Sequence, residues 1–188
     1  MPKIVRDEHI FQTVIAVLTQ RGYDGATMRA IAEAAGVSEV TLFRRYGSKS
    51  ELVRQAVAWL ASTLDFEAAV QATGDVYADL VRVVQRYQQL TERHGVFLTA
   101  FMAELARHPD LAEAMDAPRA VLWAIGGLFL HYQQAGVLVS EPPLQSAAAL
   151  LGPLAYSALM RRVWQMDAPA LDVEAHVQRF LEGRLQKA

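Results

Sequence analysis

The chain has 188 residues, of which 53% are hydrophobic and 9% aromatic, and its formal net charge is −2 at pH 7. This apolar content supports a sizeable core and excludes a disordered chain. The sequence contains no cysteine, which excludes disulfides, cysteine–zinc sites and thiol catalysis. It has neither an apolar signal segment nor a run approaching the roughly 20 apolar residues of a membrane span, so we expect a cytoplasmic protein without membrane contact.

Apolar residues recur at spacings of three and four along nearly the whole chain, which is the period of an α-helix. Glycine, proline and capping residues divide this pattern into separate helices. Helices are predicted at residues 6–21, 27–34, 38–45, 48–70, 76–87, 95–105, 110–115, 118–135, 144–165 and 172–185. The fourth is predicted to open with a capping box formed by Ser48 and Glu51. The sequence has no β-hairpin signal, internal repeat or low-complexity tract, so the predicted fold class is all-α.

Residues 27–49 have the features of a helix-turn-helix. Thr27 and Ser38 are predicted N-caps, because their hydroxyls can accept bonds from the orphan backbone N–H groups of a first helical turn. Gly36 separates the two helices, since the residue after a helix commonly adopts a left-handed backbone that glycine takes without steric penalty. Two helices joined by so short a turn cross steeply, and the second can lie in a DNA major groove.

Positive charge is concentrated near this motif. The first 50 residues contain seven basic and five acidic side chains, whereas the rest of the chain contains eleven and fifteen. A DNA-binding region requires positive charge, so this distribution agrees with the helix-turn-helix, although the asymmetry is mild.

The motif resembles that of the TetR family of bacterial transcriptional regulators. It reads Thr27-Met-Arg-Ala-Ile-Ala and then Gly36-Val-Ser-Glu-Val-Thr-Leu-Phe-Arg-Arg-Tyr-Gly-Ser-Lys49, and the specific similarity covers about the first 60 residues. The resemblance implies nine or ten helices, with a three-helix DNA-binding domain at residues 1–50 and a helical ligand-binding and dimerisation domain at residues 51–188. It also implies a homodimer that pairs through its last two long helices. Members are mostly repressors that release a palindromic operator in double-stranded DNA when a small-molecule effector binds.

Five residues are candidates for holding DNA phosphates, according to the resemblance and to their places at helix starts and on the second helix. Thr27, Thr41 and Lys49 are expected to contact the backbone, which positions the domain without reading the sequence. Ser38 caps its helix, holds a phosphate, or does both, and Arg45 holds a phosphate or reads a base. Two adjacent arginines on a short helix are often only exposed to solvent, so these assignments depend on the surrounding motif.

Four further residues are candidates for reading bases. Arg29 and Arg44 are placed to reach guanine edges, where a bidentate contact contributes about 1–3 kcal/mol of discrimination. Glu39 can accept a hydrogen bond from a cytosine amino group, and Val40 can contact a thymine methyl. A plain helix-start charge is the more common role of an acidic residue such as Glu39.

Aromatic residues of the motif depart from the family pattern. Phe43 stands where the family usually has tyrosine, whose hydroxyl commonly touches a DNA phosphate, so that bond is expected to be missing. Tyr46 stands where the family prefers phenylalanine, and its hydroxyl replaces the bond only if it faces the DNA. Val40 also departs, since glycine, alanine or proline is common there. These differences are expected to alter the choice of operator rather than the assignment itself.

The chain after residue 50 is rich in aromatic and methionine side chains, which can line an apolar ligand cavity. An ordinary hydrophobic core explains the same residues and is the more frequent case for any one of them. The expected ligand is a small, mostly apolar effector of unknown identity. The candidate pocket residues are Trp59, Tyr87, Phe97, Phe101, Met102, Trp123, Phe129 and Tyr132.

The predicted helix at residues 144–165 is apolar all round, which indicates burial on more than one side. Small residues at helical spacing allow a second backbone to come close, so a second subunit is expected against it. A central core helix of a monomer is the alternative. The candidate interface residues on the last two helices are Ala148, Leu151, Gly152, Ala155, Leu159, Val177, Phe180 and Leu181.

The sequence contains no pattern typical of a catalytic site. Its five histidines lack the spacing of metal ligands, and there is no HExxH motif, glycine-rich phosphate loop or GxSxG motif. The sequence therefore predicts a protein that is not an enzyme and needs neither cofactor nor metal. A small all-α enzyme or a ligand carrier is the alternative.

Overall fold

The structure is a computed structural model that describes residues 6–163, 165 and 171–185. Within these residues the only β-structure is an isolated antiparallel bridge between Leu138 and Leu185, which confirms the predicted all-α class. A 3-10 helix spans Pro109–Met115. Residue 164, near the end of the helix predicted at 144–165, lies outside the described residues. The α-helices are α1 (Asp7–Gly25), α2 (Met28–Ala35), α3 (Glu39–Tyr46), α4 (Lys49–Ser62), α5 (Phe66–Ala69), α6 (Val76–Leu105), α7 (Asp116–Gln134), α8 (Pro143–Val163) and α9 (Val173–Glu182).

The chain forms two compact units, each with its own hydrophobic core. Of the described residues, unit 1 contains 6–63 and 96–118, and unit 2 contains 64–95 and those from 119 to 185. Unit 1 extends beyond residue 50 because α4 packs against α1 and against the 3-10 helix. The division of functions at residue 50 stays a prediction. None of the described helices combines the length and the apolar character needed to cross a membrane.

The helix-turn-helix is shaped by the local signals that the sequence predicts. The hydroxyl of Thr27 accepts a hydrogen bond from the N–H of Ala30 at 3.1 Å, and the hydroxyl of Ser38 accepts one from the N–H of Thr41 at 3.1 Å. Gly36 ends α2 with a φ of 68°, in the left-handed region that favours glycine. These caps satisfy backbone groups that the ends of short helices leave without partners.

The start of α4 shows one half of the predicted capping box. The hydroxyl of Ser48 accepts a hydrogen bond from the N–H of Glu51 at 3.1 Å. The carboxylate of Glu51 does not return the bond, because it accepts from Arg54 at 2.6 and 2.7 Å and from Gln55 at 2.6 Å. Those hydrogen bonds from Arg54 and Gln55 lower the pKa of Glu51 to about 2. The N–H of Ser48 instead donates to the carbonyl of Tyr46 at 2.9 Å.

The largest differences between predicted and observed helix boundaries are at the end of α4 and within α6. α4 ends at Ser62 rather than near residue 70, and Asp65 adopts a left-handed φ of 47° just before α5. α6 is one helix of 30 residues, whereas the sequence predicts a separate helix that begins near Gly95. Gly95 is buried, so packing outweighs the cost of about 1 kcal/mol that a glycine brings to a helix interior.

Unit 2 contains a buried carboxylate at the start of α6. Asp79 has 0% exposure and accepts hydrogen bonds from the N–H of Thr73 at 2.7 Å and from its hydroxyl at 2.6 Å. It also pairs with Arg82 at 2.9 Å and accepts a hydrogen bond from the hydroxyl of Tyr132. That hydroxyl in turn accepts from the N–H of Gly74 at 3.2 Å. The network joins the turn before α6 to α7.

Candidate nucleic-acid interface

α3 divides its side chains between the core of unit 1 and the surface. Leu42 and Tyr46 are buried, with 0% and 6% exposure, and their spacing of four places them on one side of the helix. Val40, Phe43 and Arg44 are exposed. The helix predicted to read bases therefore presents a separate face to solvent.

The three arginines of the motif differ in their partners. Arg29 forms an exposed ion pair with Glu33, with 2.9 Å between Nε and Oε1, and such pairs contribute little to stability. Arg45 donates to Asp7 of α1 and its guanidinium lies over the ring of the adjacent tyrosine. Among the described residues, no hydrogen bond or ion pair engages Arg44. Arg44 is therefore the guanidinium that can contact a base without first losing an internal bond.

Tyr46 is used within the fold. Its hydroxyl donates to Asp7, and its ring centroid lies 5.9 Å from that of Phe11. Burial and the hydrogen bond to Asp7 raise the pKa of Tyr46, so the hydroxyl remains protonated. It is not available to replace the phosphate bond that Phe43 lacks. We therefore assign Tyr46 to the packing of unit 1 and no longer expect its hydroxyl to contact DNA.

The remaining polar candidates lie at the starts of α2 and α3. Thr27 and Ser38 are exposed and Thr41 is half-buried, with 2.8 Å between the hydroxyl oxygens of Ser38 and Thr41. Glu39, the first residue of α3, is also exposed, and a carboxylate is favoured there by the helix dipole. The first-turn N–H groups of both helices favour an anion such as a DNA phosphate.

Lys49 lies against the C-terminal end of α1. Its ammonium donates to the carbonyl of Tyr23 at 3.0 Å and lies 3.7 Å from the centroid of the Tyr23 ring. The hydroxyl of Tyr23 donates to Asp110 at 2.7 Å. Burial and the bond to Asp110 raise the pKa of Tyr23. A DNA phosphate would compete with the carbonyl for an ammonium whose position is already held by the fold.

Replacing Lys49 by alanine is expected to weaken binding to every DNA duplex to the same degree, because a phosphate contact carries no sequence information. The dependence of log affinity on log salt concentration should become shallower by about 0.9 for each phosphate that the protein no longer neutralises. Fluorescence anisotropy on a selected and a scrambled duplex, at several salt concentrations, measures both quantities. Lys49→Arg, which keeps the charge, serves as the control. A weakening confined to the selected duplex would contradict the assignment.

The candidate ligand residues do not form one pocket. Phe97 and Phe101 stack in the core of unit 1 with 5.2 Å between their centroids, and Trp59 packs against the same core. Met102 is 58% exposed. Phe129 and Tyr132 belong to the core of unit 2. Most of these aromatic residues therefore have the ordinary core role that the sequence left open.

Tyr87 and Trp123 share a groove of about 480 Å³ within unit 2. The sequence did not indicate the other residues of this groove as a pocket, and three of them were predicted interface residues. These other lining residues are Arg119, Leu122, Leu144, Ala147, Ala148, Leu151 and Gly152. Helical spacing indicates which of these residues share one face of a helix. It does not show which faces of α6, α7 and α8 meet to form the groove. Within the described residues, no group of three acidic or histidine side chains is placed to hold a metal ion.

The candidate interface residues fall into two groups. Leu151, Val177, Phe180 and Leu181 are buried in the core of unit 2, with 0–6% exposure, so they are not available to a second subunit. The apolar stripe of α9 is covered by its own chain, which corrects its assignment to an interface. The residues that retain accessible surface are on α8: Ala148, Gly152 and Ala155 are exposed and Leu159 is half-buried.

Comparison with known proteins relates this chain to bacterial transcriptional regulators. Residues 10–56 match the family described as bacterial regulatory proteins, tetR family. An uncharacterized HTH-type transcriptional regulator of Mycobacterium bovis is 28% identical over 111 residues, 59% of this chain and 54% of that protein, so the match spans about half of its length. The DNA-binding transcriptional repressor TetR of Mycobacteroides abscessus is 26% identical over 142 residues, 76% of this chain and 67% of that protein.

The fold agrees with these matches. The solved structure of the Flavonoid-responsive Regulator FrrA has a TM-score of 0.72 at 20% identity, and the similarity covers 97% of this chain and 98% of that one. At this identity the similarity establishes the fold alone. The family and these relatives are transcriptional regulators, which confirms the prediction that the chain is not an enzyme. The matched residues 10–56 and the relatives therefore show that this chain is similar to the bacterial regulatory proteins of the tetR family, and its fold agrees with that similarity.

Proposed function

We propose that this protein is a homodimeric transcriptional repressor that binds a palindromic operator and releases it when a small, mostly apolar molecule binds. The observation that carries the proposal is the exposed face of α3, where Arg44 has no internal partner among the described residues. The repressor role is supported by the relative named a DNA-binding transcriptional repressor. The response to a small molecule is supported by the structural neighbour named a flavonoid-responsive regulator. Such a protein would act in the cytoplasm, where bacterial DNA lies.

A second copy of this chain is the proposed partner of the exposed faces of α7 and α8. On α7, Trp123 and Leu130 are 65% and 44% exposed, and they are seven residues apart. On α8, Ala148, Gly152 and Ala155 are exposed at spacings of four and three. Each set lies on one side of its helix, and small side chains allow close helix packing. The proposed interface therefore uses α7 and α8 in place of α8 and α9.

The proposed effector site is the groove lined by Tyr87, Trp123, Leu144 and Leu151. Its lining is mostly apolar, which suits a mostly apolar ligand, and Arg119 supplies a positive charge at one place. Ala148 and Gly152 belong both to this lining and to the proposed dimer face. Dimerisation would therefore cover part of the groove.

The function is tested by selecting DNA duplexes that bind the full chain from fragments of its source genome. We expect a shared palindrome whose half-sites are about one helical turn apart, roughly 34–36 Å, because two identical domains must reach them together. Mostly apolar compounds are then screened by anisotropy for release of the selected duplex. Selection without a common sequence would contradict sequence-specific binding. A ligand that binds tightly without changing operator affinity would contradict the proposed response.

Replacing Ala155 by glutamate is expected to convert the dimer to monomers, because dimerisation would bury the new charge without a partner. Ala155 is exposed in the single chain, so the variant should keep its helical circular dichroism. Sedimentation velocity measures the oligomeric state. Gln178→Glu, at an exposed position of α9, introduces the same charge outside the proposed interface and should remain dimeric. If Ala155→Glu sediments as an unaltered dimer, the interface lies elsewhere.

A further inference from the structure

The exposed face of α3 carries an apolar patch. Hydrogen bonds to phosphates and guanines do not explain why apolar side chains are exposed there. Val40 is 75% exposed, the largest value among the large hydrophobic side chains of the described residues, and Phe43 is 47% exposed. Within residues 6–63 these are the only two exposed large hydrophobic side chains. Their spacing of three makes them neighbours on the helix surface.

Apart from Arg44, the polar groups near the patch are already engaged or lie at the helix start. The hydroxyl of Thr41, which stands between the two apolar residues in sequence, is 2.8 Å from the hydroxyl of Ser38. Leu42 is fully buried. Single exposed hydrophobic residues are common on protein surfaces, but here two are adjacent on the helix that presents Arg44 to solvent. The patch therefore lies where DNA would meet the helix.

The major groove offers one apolar group to such a patch. Guanine, cytosine and adenine present hydrogen-bond donors and acceptors there, whereas thymine presents the C5 methyl group beside its O4 acceptor. Residues near the start of a recognition helix are those that contact base edges. Val40 is the second residue of α3 and Phe43 the fifth.

We propose that Val40 and Phe43 form a sensor for thymine methyl groups, so that each operator half-site carries thymine where these side chains meet it. The proposal rests on the proposed DNA-binding function and deepens it, since it names the chemical group that is read. Apolar contact replaces the phosphate hydrogen bond that Phe43 cannot make. Base selection at these positions then depends on burial of a methyl group rather than on hydrogen bonding.

The test replaces single thymines by deoxyuridine in a duplex selected by the full chain, which removes the methyl and leaves base pairing intact. Burial of one such group contributes about a fourfold change in affinity. We expect about a fourfold loss of affinity when one half-site is changed at a contacted position, and about a fifteenfold loss when both are changed. Anisotropy titrations at constant salt concentration measure the change.

Protein variants assign each methyl to a side chain. With Val40→Ala, replacing thymine by deoxyuridine at one position should no longer change the affinity. At the other positions the same replacement should still lower it. Phe43→Ala should abolish the sensitivity of a different position. Both side chains are exposed, so thermal unfolding of the variants should match that of the unaltered protein. Arg44→Ala is the control, because it should weaken binding without removing discrimination between thymine and uracil.

Three outcomes would overturn the inference. In the first, no uracil substitution changes the affinity of a duplex that the protein binds selectively. In the second, Val40→Ala keeps the same thymine-to-uracil ratio at every position. In the third, Phe43→Ala lowers the affinity for the thymine and the uracil duplex equally, which would indicate that the ring contacts the DNA backbone and not a methyl group. Each result leaves the proposed function intact, whereas failure to bind any duplex selectively would remove the proposed function itself.

Discussion

Arg44→Ala is expected to reduce the affinity for the selected operator by about 1–3 kcal/mol per half-site, with relaxed selectivity at one base pair. Arg44 is exposed on α3, and no hydrogen bond or ion pair holds it among the described residues. Its removal should therefore leave the free energy of unfolding unchanged. The entire effect should appear in DNA binding.

Arg45 makes a useful contrast on the same helix. It donates to Asp7, and its guanidinium lies 5.5 Å from the centroid of the Tyr46 ring. Arg45→Ala therefore removes interactions within unit 1 as well as any interaction with DNA, and weaker binding by this variant cannot be assigned to base reading alone. This is why Arg44 is the cleaner position to change.

Anisotropy on the selected duplex and on its single-base variants measures the effect of Arg44→Ala. Arg21→Ala, which removes one exposed positive charge from α1, controls for the general reduction in charge. We expect the control to lose little affinity and no selectivity. An equal decrease in affinity for Arg44→Ala on all duplexes would show that Arg44 holds a phosphate and does not read a base.

Asp79→Ala is expected to destabilise unit 2 by about 2–4 kcal/mol, the largest stability effect that we predict. Asp79 is fully buried and accepts hydrogen bonds from Thr73 and Tyr132. Alanine would leave the hydroxyl of the buried Tyr132 without its acceptor, whereas the N–H and the hydroxyl of Thr73, which is exposed, can bond to water. Each buried polar group left unsatisfied costs about 1–3 kcal/mol.

Urea unfolding followed by circular dichroism measures this destabilisation. Asp75→Ala is the matched control, because Asp75 is exposed and, within the part of the chain that the structure describes, its carboxylate accepts only the first-turn N–H of Ala78, at 3.0 Å. Removal of such a helix cap costs about 1 kcal/mol. Similar destabilisation of the two variants would contradict the special role of the buried carboxylate.

The pH dependence of stability gives an independent measurement at Asp79. Burial alone would raise its pKa, but the hydrogen bonds from Thr73 and Tyr132 and the charge of Arg82 outweigh burial and lower it. The unfolded state then binds a proton more readily than the folded state. The stability advantage of the unaltered protein over Asp79→Asn should be fully present above the pKa of an unfolded aspartate, about 3.9. It should decrease as the pH falls through the lower pKa of the folded state.

Tyr132 illustrates why the aromatic residues were hard to assign from sequence. Burial and the bond to Asp79 raise its pKa to about 12, so it remains a hydrogen-bond donor at neutral pH. The sequence places Tyr132 among the candidate ligand residues because its type and helical spacing suit a pocket. Asp79 is 53 residues away in sequence, and no local pattern indicates that the two side chains meet.

The same limit applies to the two faces of α3 and to the proposed dimer surface. The sequence identifies Tyr46 as a departure from the family pattern, but only the structure shows that its hydroxyl is bound to Asp7, 39 residues earlier. Phe180 and Leu181 form a stripe that suits either a core or an interface. Their burial is a property of the whole of unit 2.

The sequence alone determined the all-α class, the helix-turn-helix and its caps, because capping and glycine turns act between residues at most five positions apart. Thr27, Gly36 and Ser38 carry these signals, and the structure contains each of them. The tertiary structure decided which polar and apolar groups remain available for binding. It leaves Arg44 and the Val40–Phe43 patch exposed while it engages Arg45 and Tyr46. That outcome depends on contacts between residues far apart in sequence, which helical periodicity does not encode.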